Sequence, residues 1–317
     1  MSSNISRRRF LQTAGLASAA MLTVRPIRSW SRPSVQVGAI SYSFRQIPSS
    51  AEEILGYMQT LGLTTVELMG TPAEVYAGAP PMPPFRRGQA DLSLEERREA
   101  RAARRAAMEE VSKWRVGADL TKFVELGEMY RDGGVEVDIL KLGNANWSDE
   151  ELDYAYQAAR AVGARGVSFE IANDAAERMG AFADKHDLLN GMHNHTQVAD
   201  EGFTFEQPLS YSANNMLNLD IGHYVAGLGE SPIPVIRKFH DRISHLHLKD
   251  RRTPENGQDN VIWGEGDTPI GEVLRLLRDE GYPIPAMIEL EYPIPEDSSV
   301  MEEMARCAAF CRDALDS

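Results

Sequence analysis

Residues 243–250, I-S-H-L-H-L-K-D, read as a short buried strand with a polar tip. Successive side chains of a strand point to opposite faces, so His245, His247 and Lys249 share one face and Leu246 and Leu248 the other. In an α/β fold the apolar face packs under helices. The face carrying two imidazoles and an ammonium must then meet a cavity, a ligand or a metal, because unpaired buried polar groups are costly. Three other strands repeat this pattern.

Working outward, strands are predicted at 35–41, 64–69, 135–142, 165–171, 188–195, 216–221, 243–250 and 284–291. Helices are predicted at 51–61, 94–129 with a break near Gly117, 149–162 with Ser148 as N-cap, 174–186, 208–214, 232–240, 271–280 and 300–315. Residues 70–90, rich in Pro and Gly, read as a long loop. Alternating strands and helices imply parallel strands joined by crossover helices. Eight such units predict one (β/α)8 barrel domain over residues 33–317. A doubly wound open sheet is the runner-up, but no G-x-G-x-x-G follows the first strand.

The first 32 residues stand apart. S-R-R-R-F-L at 6–11, followed by a mildly apolar, Ala-rich run to Val24, resembles a twin-arginine export signal and predicts a periplasmic or other extracytoplasmic destination. These residues hold six of the chain's 33 Lys and Arg and no acid, leaving 27 basic against 47 acidic side chains in the rest. So acidic a surface repels phosphate backbones and argues against a nucleic-acid partner. No apolar run is long enough for a stable membrane span. Cys307 and Cys311, four apart on the last predicted helix, suit packing better than a disulfide. A homo-oligomer is compatible with the sequence, which does not specify one.

Chemistry in a (β/α)8 barrel gathers at the C-terminal strand ends, and the late strands end in ligand-type residues. Strand 4 ends in Glu170, strand 5 in His193 and His195, and strand 6 in Asp220 with His223 three residues on. Strand 7 carries His245 and His247, and strand 8 ends in Glu289 and Glu291. Five of the seven His lie in these segments. Any one of them alone is more often a hydrogen-bonded structural residue; His245, one pleat deeper than His247, and Glu291, beyond Glu289, fit that description best. Together, imidazoles and carboxylates from adjacent strands suit one borderline divalent ion, Mn²⁺, Co²⁺ or Zn²⁺.

The pieces M-H-N-H at 192–195, L-D-I-G-H at 219–223, H-L-H-L-K-D at 245–250, W-G-E-G-D at 263–267 and I-E-L-E-Y at 288–292 carry a resemblance. In order and spacing they are similar to the xylose isomerase-like TIM-barrel superfamily, in its sugar phosphate isomerase/epimerase branch. Members like tagatose 3-epimerase hold one metal with a Glu, an Asp, a His and a Glu from strands 5 to 8. The last three fall on Asp220, His247 and Glu289, and the D-x-x-H step makes His223 a substrate contact. This chain departs at strand 5, where His193 stands in place of the Glu. His193 is then expected as a ligand, with Glu170 as the acid/base or, alternatively, as a further ligand.

The resemblance implies a metal-dependent sugar isomerase or epimerase acting through an enediolate, by proton transfer α to a carbonyl. Catalytic candidates are Glu170, His195, His223, Lys249 and Glu291; Lys249 and Arg251 could bind hydroxyls or charge. Tyr42 and Phe44 could form a stacking wall, and the loop at Trp263 could cover the site. The expected partner is a small sugar or keto-sugar. Rivals are a lyase, dehydratase or hydrolase on keto-sugars or 3-keto-glycosides, and a sugar-binding barrel without catalysis. An endonuclease IV-like repair enzyme would need more His and acids on strands 2 and 3, where strand 2 offers only Glu67 and strand 3 no His.

Overall fold

Eight short parallel strands pair in chain order and close on themselves, β1 meeting β8. The computed structural model describes residues 35–83 and 93–317. The export signal expected over 1–32 lies outside them.

The strands are β1 (Val37–Ile40), β2 (Thr65–Met69), β3 (Glu136–Lys141), β4 (Gly166–Glu170), β5 (Leu189–His193), β6 (Asn215–Asp220), β7 (Ile243–Leu248) and β8 (Ala286–Ile288). Around them lie α1 (Ala51–Leu61), α2 (Gly70–Tyr76), α3 (Leu94–Val116), α4 (Thr121–Asp132), α5 (Asp149–Val162) and α6 (Asn173–His186). The outer ring continues with α7 (Glu206–Ser210), α8 (Ile221–Leu228), α9 (Ile233–Phe239), α10 (Ile270–Glu280) and α11 (Val300–Asp316).

Local signals explain the helix starts. Ser50, Ser93 and Ser148 each form a reciprocal capping box with the Glu three residues on. The break expected near Gly117 separates α3 from α4.

Alternation divides the barrel into two cores. Val66, Leu68, Leu246, Leu248, Ala286 and Ile288 join the helices in the outer apolar core. Ile40, Ile139 and Met287 are buried apart from it. They share the lumen with Glu67, Ser168, Asn218, His245 and His247, all at most 1% exposed. A lumen is ordinarily filled by branched apolar residues; here five of these eight are polar.

Several expectations change. The loop expected over 70–90 begins with the helix α2. Residues 221–228, expected as a strand end and a loop, form α8, because the Asp220 carboxylate caps it by accepting from the His223 backbone N–H at 2.7 Å. β5 stops at His193 and β8 at Ile288, each before the predicted end. After Ile288 the chain leaves the ladder because Ser43 takes over: its Oγ donates to Ile288 O at 3.1 Å and accepts from Leu290 N at 3.0 Å. Phe44 is core, packed on Tyr57 with ring centroids 5.2 Å apart, and cannot form a stacking wall. Both cysteines are free and buried.

Candidate active site

Strand register sets which side chains meet. Glu170 lies beside His193, and Asp220 beside His247. Asn194 pins β5 to β6 by bonding both the Asp220 N–H, at 2.9 Å, and its carbonyl, at 3.1 Å. With Oδ1 of Asp220 spent on the α8 cap, its Oδ2 turns to the barrel mouth.

There it meets three more donors. His193, Asp220, His247 and Glu289 each offer one atom within 4.8 Å of the others. His247 Nδ1 is 3.9 Å from Asp220 Oδ2 and 2.9 Å from Glu289 Oε2. His193 Nδ1, Asp220 Oδ2, His247 Nδ1 and Glu289 Oε2 are buried and lack hydrogen-bond partners. Buried polar atoms are rarely left so. Two imidazole nitrogens and two carboxylate oxygens fit a borderline divalent ion. Glu170 is not in this quartet.

Lys249 reaches the same oxygens. It is 2% exposed, with Nζ 2.9 Å from Asp220 Oδ2, 2.9 Å from Glu289 Oε2 and 2.7 Å from Glu291 Oε2. The first two approaches are ionic and lack hydrogen-bond alignment, so they do not satisfy those oxygens. Burial works against the ammonium, but the three carboxylates outweigh it and raise its pKa.

Burial alone would likewise lower His247, yet Glu67 and Glu289 raise it to about 10. Its charge stabilises the ion-free fold fully below pH 6.5, and that contribution is lost as pH rises through about 10. An ion can take Nδ1 only after the proton leaves. Binding of Co²⁺ at pH 7 is therefore expected to release about one proton, with affinity rising roughly tenfold per pH unit through the neutral range. Calorimetry in two buffers of different ionisation enthalpy measures the proton count; zero release and a flat pH response would contradict it.

A second row crosses the mouth from β3 to the end of β7. Lys141 Nζ donates to Glu170 Oε1 at 3.1 Å. Glu170 Oε2 lies 2.6 Å from His195 Nε2, and His195 Nδ1 lies 3.1 Å from His223 Nε2. Arg251 donates to His223 Nδ1. A carboxylate only accepts, so His195 donates through Nε2 to Glu170 and its Nδ1 is the accepting nitrogen; His223 Nε2 lies 3.1 Å from both His195 Nδ1 and Lys249 Nζ. Burial would raise Glu170, but the bond from His195 and the charge of Lys141 outweigh it and bring it to about 2. Burial and the charges of Lys249, His195 and Arg251 lower His223 to about 2. With two cations against it, His223 makes the neighbouring trio His193, His195 and His223 a poor place for a further ion.

Both rows face a cavity of about 400 Å³, which Tyr42 and Met69 also line. That volume suits a small molecule. The site lacks a Trp263 lid. Asp250 gathers the loop by accepting from Gly264, Gly266 and Thr268 N–H groups at 2.8, 3.0 and 3.2 Å. Trp263 then packs edge-on against Phe310, centroids 5.7 Å apart. Gly266 is required there, since a Cβ would lie 2.1 Å from Asp250 Oδ1.

Sequence reading missed two contributors. Lys141 carried no motif, and only its place at the end of β3 pointed to it. Glu67 was noted as the one acid of strand 2 and given no role, yet His245 Nε2 lies 3.2 Å from its Oε2 and His247 Nε2 bonds the same oxygen. His245 therefore belongs to this lumen network, below the quartet.

Residues 171–310 match the family described as xylose isomerase-like TIM barrel. No curated protein matches the chain. A sugar phosphate isomerase/epimerase from Parabacteroides distasonis is similar in structure, at 17% identity and TM-score 0.55, covering 89% of this chain and 95% of its own. So are a 3-keto-D-glucoside 4-epimerase from E. coli, at 11%, TM-score 0.55, 88% and 100%, and a probable 3-DHS dehydratase from Bacillus anthracis, at 14%, TM-score 0.56, 85% and 97%. No described helix is long and apolar enough to cross a membrane. The closed eight-stranded sheet thus makes the chain a (β/α)8 TIM barrel, and its residues 171–310 are similar in sequence to the xylose isomerase-like family.

Proposed function

We infer that the protein is a metal-dependent isomerase or epimerase of keto-sugars, acting by proton transfer α to a carbonyl. One observation carries the reading: four buried donor atoms without hydrogen-bond partners cluster beside a cavity that His193, His247, Glu289 and an imidazole–carboxylate pair line. His193, Asp220, His247 and Glu289 would hold a Mn, Co or Zn ion. Such an ion would polarise the substrate carbonyl and stabilise the charge developing on its oxygen.

His195 takes the α-proton at Nδ1, where the substrate replaces His223 as its partner. Glu170 holds the ring from Nε2 and offsets the imidazolium charge, as a carboxylate does behind a catalytic His. Held as a carboxylate down to about pH 2, Glu170 is better suited to orienting this base than to being it. Return of the proton to the neighbouring carbon gives isomerisation; return from the opposite face gives epimerisation.

Lys249, paired with Glu291 beside the same cavity, supports a second reading, elimination. After the same proton is removed, the bond to a β-oxygen breaks and the ammonium protonates the departing oxygen. The substrate class is an uncharged sugar, since Lys141 and Lys249 are already matched by carboxylates. Export by the twin-arginine route would place the reaction outside the cytoplasm, among free or glycosidic sugars.

The test is a keto-sugar panel with Co²⁺-loaded protein in D₂O, followed by NMR. An isomerase, epimerase or lyase washes deuterium into the α-position; a sugar-binding barrel does not. His195→Gln and Glu170→Gln should each retain the ion and slow exchange by about 10²–10⁴. Loss of the ion from Glu170→Gln would instead make Glu170 a ligand and end this division of roles.

A further inference from the structure

Glu67 lies at the bottom of the site, in the lumen of the barrel, and is 0% exposed. Its carboxylate gathers donors from three other strands. Ser168 of β4 donates to Oε1, and Asn218 of β6 reaches the same oxygen at 3.5 Å. His245 and His247 of β7 both address Oε2. A carboxylate has about four lone-pair sites, and here each has a partner. The arrangement is thus complete in itself, and the trio Glu67, His245 and His247 has no donor left for an ion of its own.

What it leaves free is on the other side of one ring. A neutral imidazole donates from one nitrogen and accepts at the other. With Nε2 of His247 donating downward to Glu67, loss of the ring's other proton leaves the lone pair on Nδ1, the buried atom without a hydrogen-bond partner that faces Asp220 and Glu289. Asn218 Nδ2, 3.2 Å from His247 Nε2, flanks the ring on the same side.

We propose that Glu67 is a positioning residue that fixes the tautomer and orientation of His247, so that Nδ1 is presented to a divalent ion. The proposal rests on the metal reading above and adds a residue to it. Carboxylates that hold a ligating imidazole from behind commonly change affinity by about 10- to 100-fold when removed. His245, on the same oxygen but farther from the quartet, supplies the control, since its loss leaves the bond between Glu67 and His247 in place.

The experiment titrates the full chain with Co²⁺, reading affinity by calorimetry and ligand field by visible absorption. Glu67→Gln is nearly isosteric and is compared with His245→Gln. The expected result is a Co²⁺ Kd raised about 10- to 100-fold in Glu67→Gln, with a changed visible band. His245→Gln should keep the band and stay within about threefold of wild type, since the bond from Glu67 behind the ligand is intact. On the Zn²⁺-loaded protein, long-range ¹H–¹⁵N NMR should show His247 protonated at Nε2. Equal Co²⁺ binding and equal spectra in wild type and Glu67→Gln would overturn the role of Glu67 alone. Equal losses in the two variants would mark a merely structural network and overturn it too. If wild type itself takes up no Co²⁺, the metal reading falls and Glu67 with it.

Discussion

Asp220→Asn should purify without its ion and lose the reaction. The carboxylate is divided between two tasks: Oδ1 caps α8, and Oδ2 is one of the four atoms left open at the mouth. An amide can keep the cap, because its carbonyl oxygen still accepts from the His223 N–H. Its NH₂ then faces the quartet with hydrogens where an ion needs a lone pair. The fold is therefore expected to survive while the site does not. Metal analysis should fall from about one ion per chain to a small fraction of that. Turnover should drop by roughly three orders of magnitude or more, the equivalent of several kcal/mol of lost charge stabilisation. An Asp220→Asn protein that turns over normally without metal would end the ion-based chemistry altogether.

Removing Lys249 should act mainly on stability. The ammonium is enclosed by Asp220, Glu289 and Glu291, all within 2.9 Å. Lys249→Met fills similar space and removes the one ammonium enclosed by all three carboxylates. Uncompensated buried charge of this kind costs about 3–5 kcal/mol. Denaturant melts of ion-free protein should show that loss, smaller near pH 5, where carboxylates in the variant can take up protons, than near pH 8. Added Mn²⁺ should restore most of it, with a larger gain than in wild type, since an ion that binds only the folded chain stabilises it. A loss that persists in full at saturating Mn²⁺ would mean that Lys249 supports the fold by packing and not as a counter-charge.

How far the site could be read beforehand depends on what alternation and spacing encode. The period of two in H-L-H-L told which side chains share a face, and the eightfold repeat told that the faces close on one lumen. Hence His193, Asp220, His247 and Glu289 could be named before their distances were known. Partnerships across the barrel are another matter. Glu67 is one of 47 acids, and only closure of the sheet brings it under His247 from β2. Lys141 ends its strand without a motif, and its partner Glu170 belongs to the next strand. Helix α8 was hidden because its cap, Asp220, is also the last residue of β6. Phe44 after strand 1 and Trp263 in its Gly-rich loop have positions and ring character that do not distinguish a sugar platform or lid from core packing.

β7 is buried along its whole length, on both faces. Toward the lumen it presents imidazoles; toward the helices, leucines. A slip of one position would exchange the two sets, setting Leu246 and Leu248 against the carboxylates and driving His245 and His247 into the oily outer layer. Such a strand tolerates neither insertion nor deletion. Variation along this part of the chain is therefore confined to the loop that begins after Leu248, while the stave itself stays at fixed length.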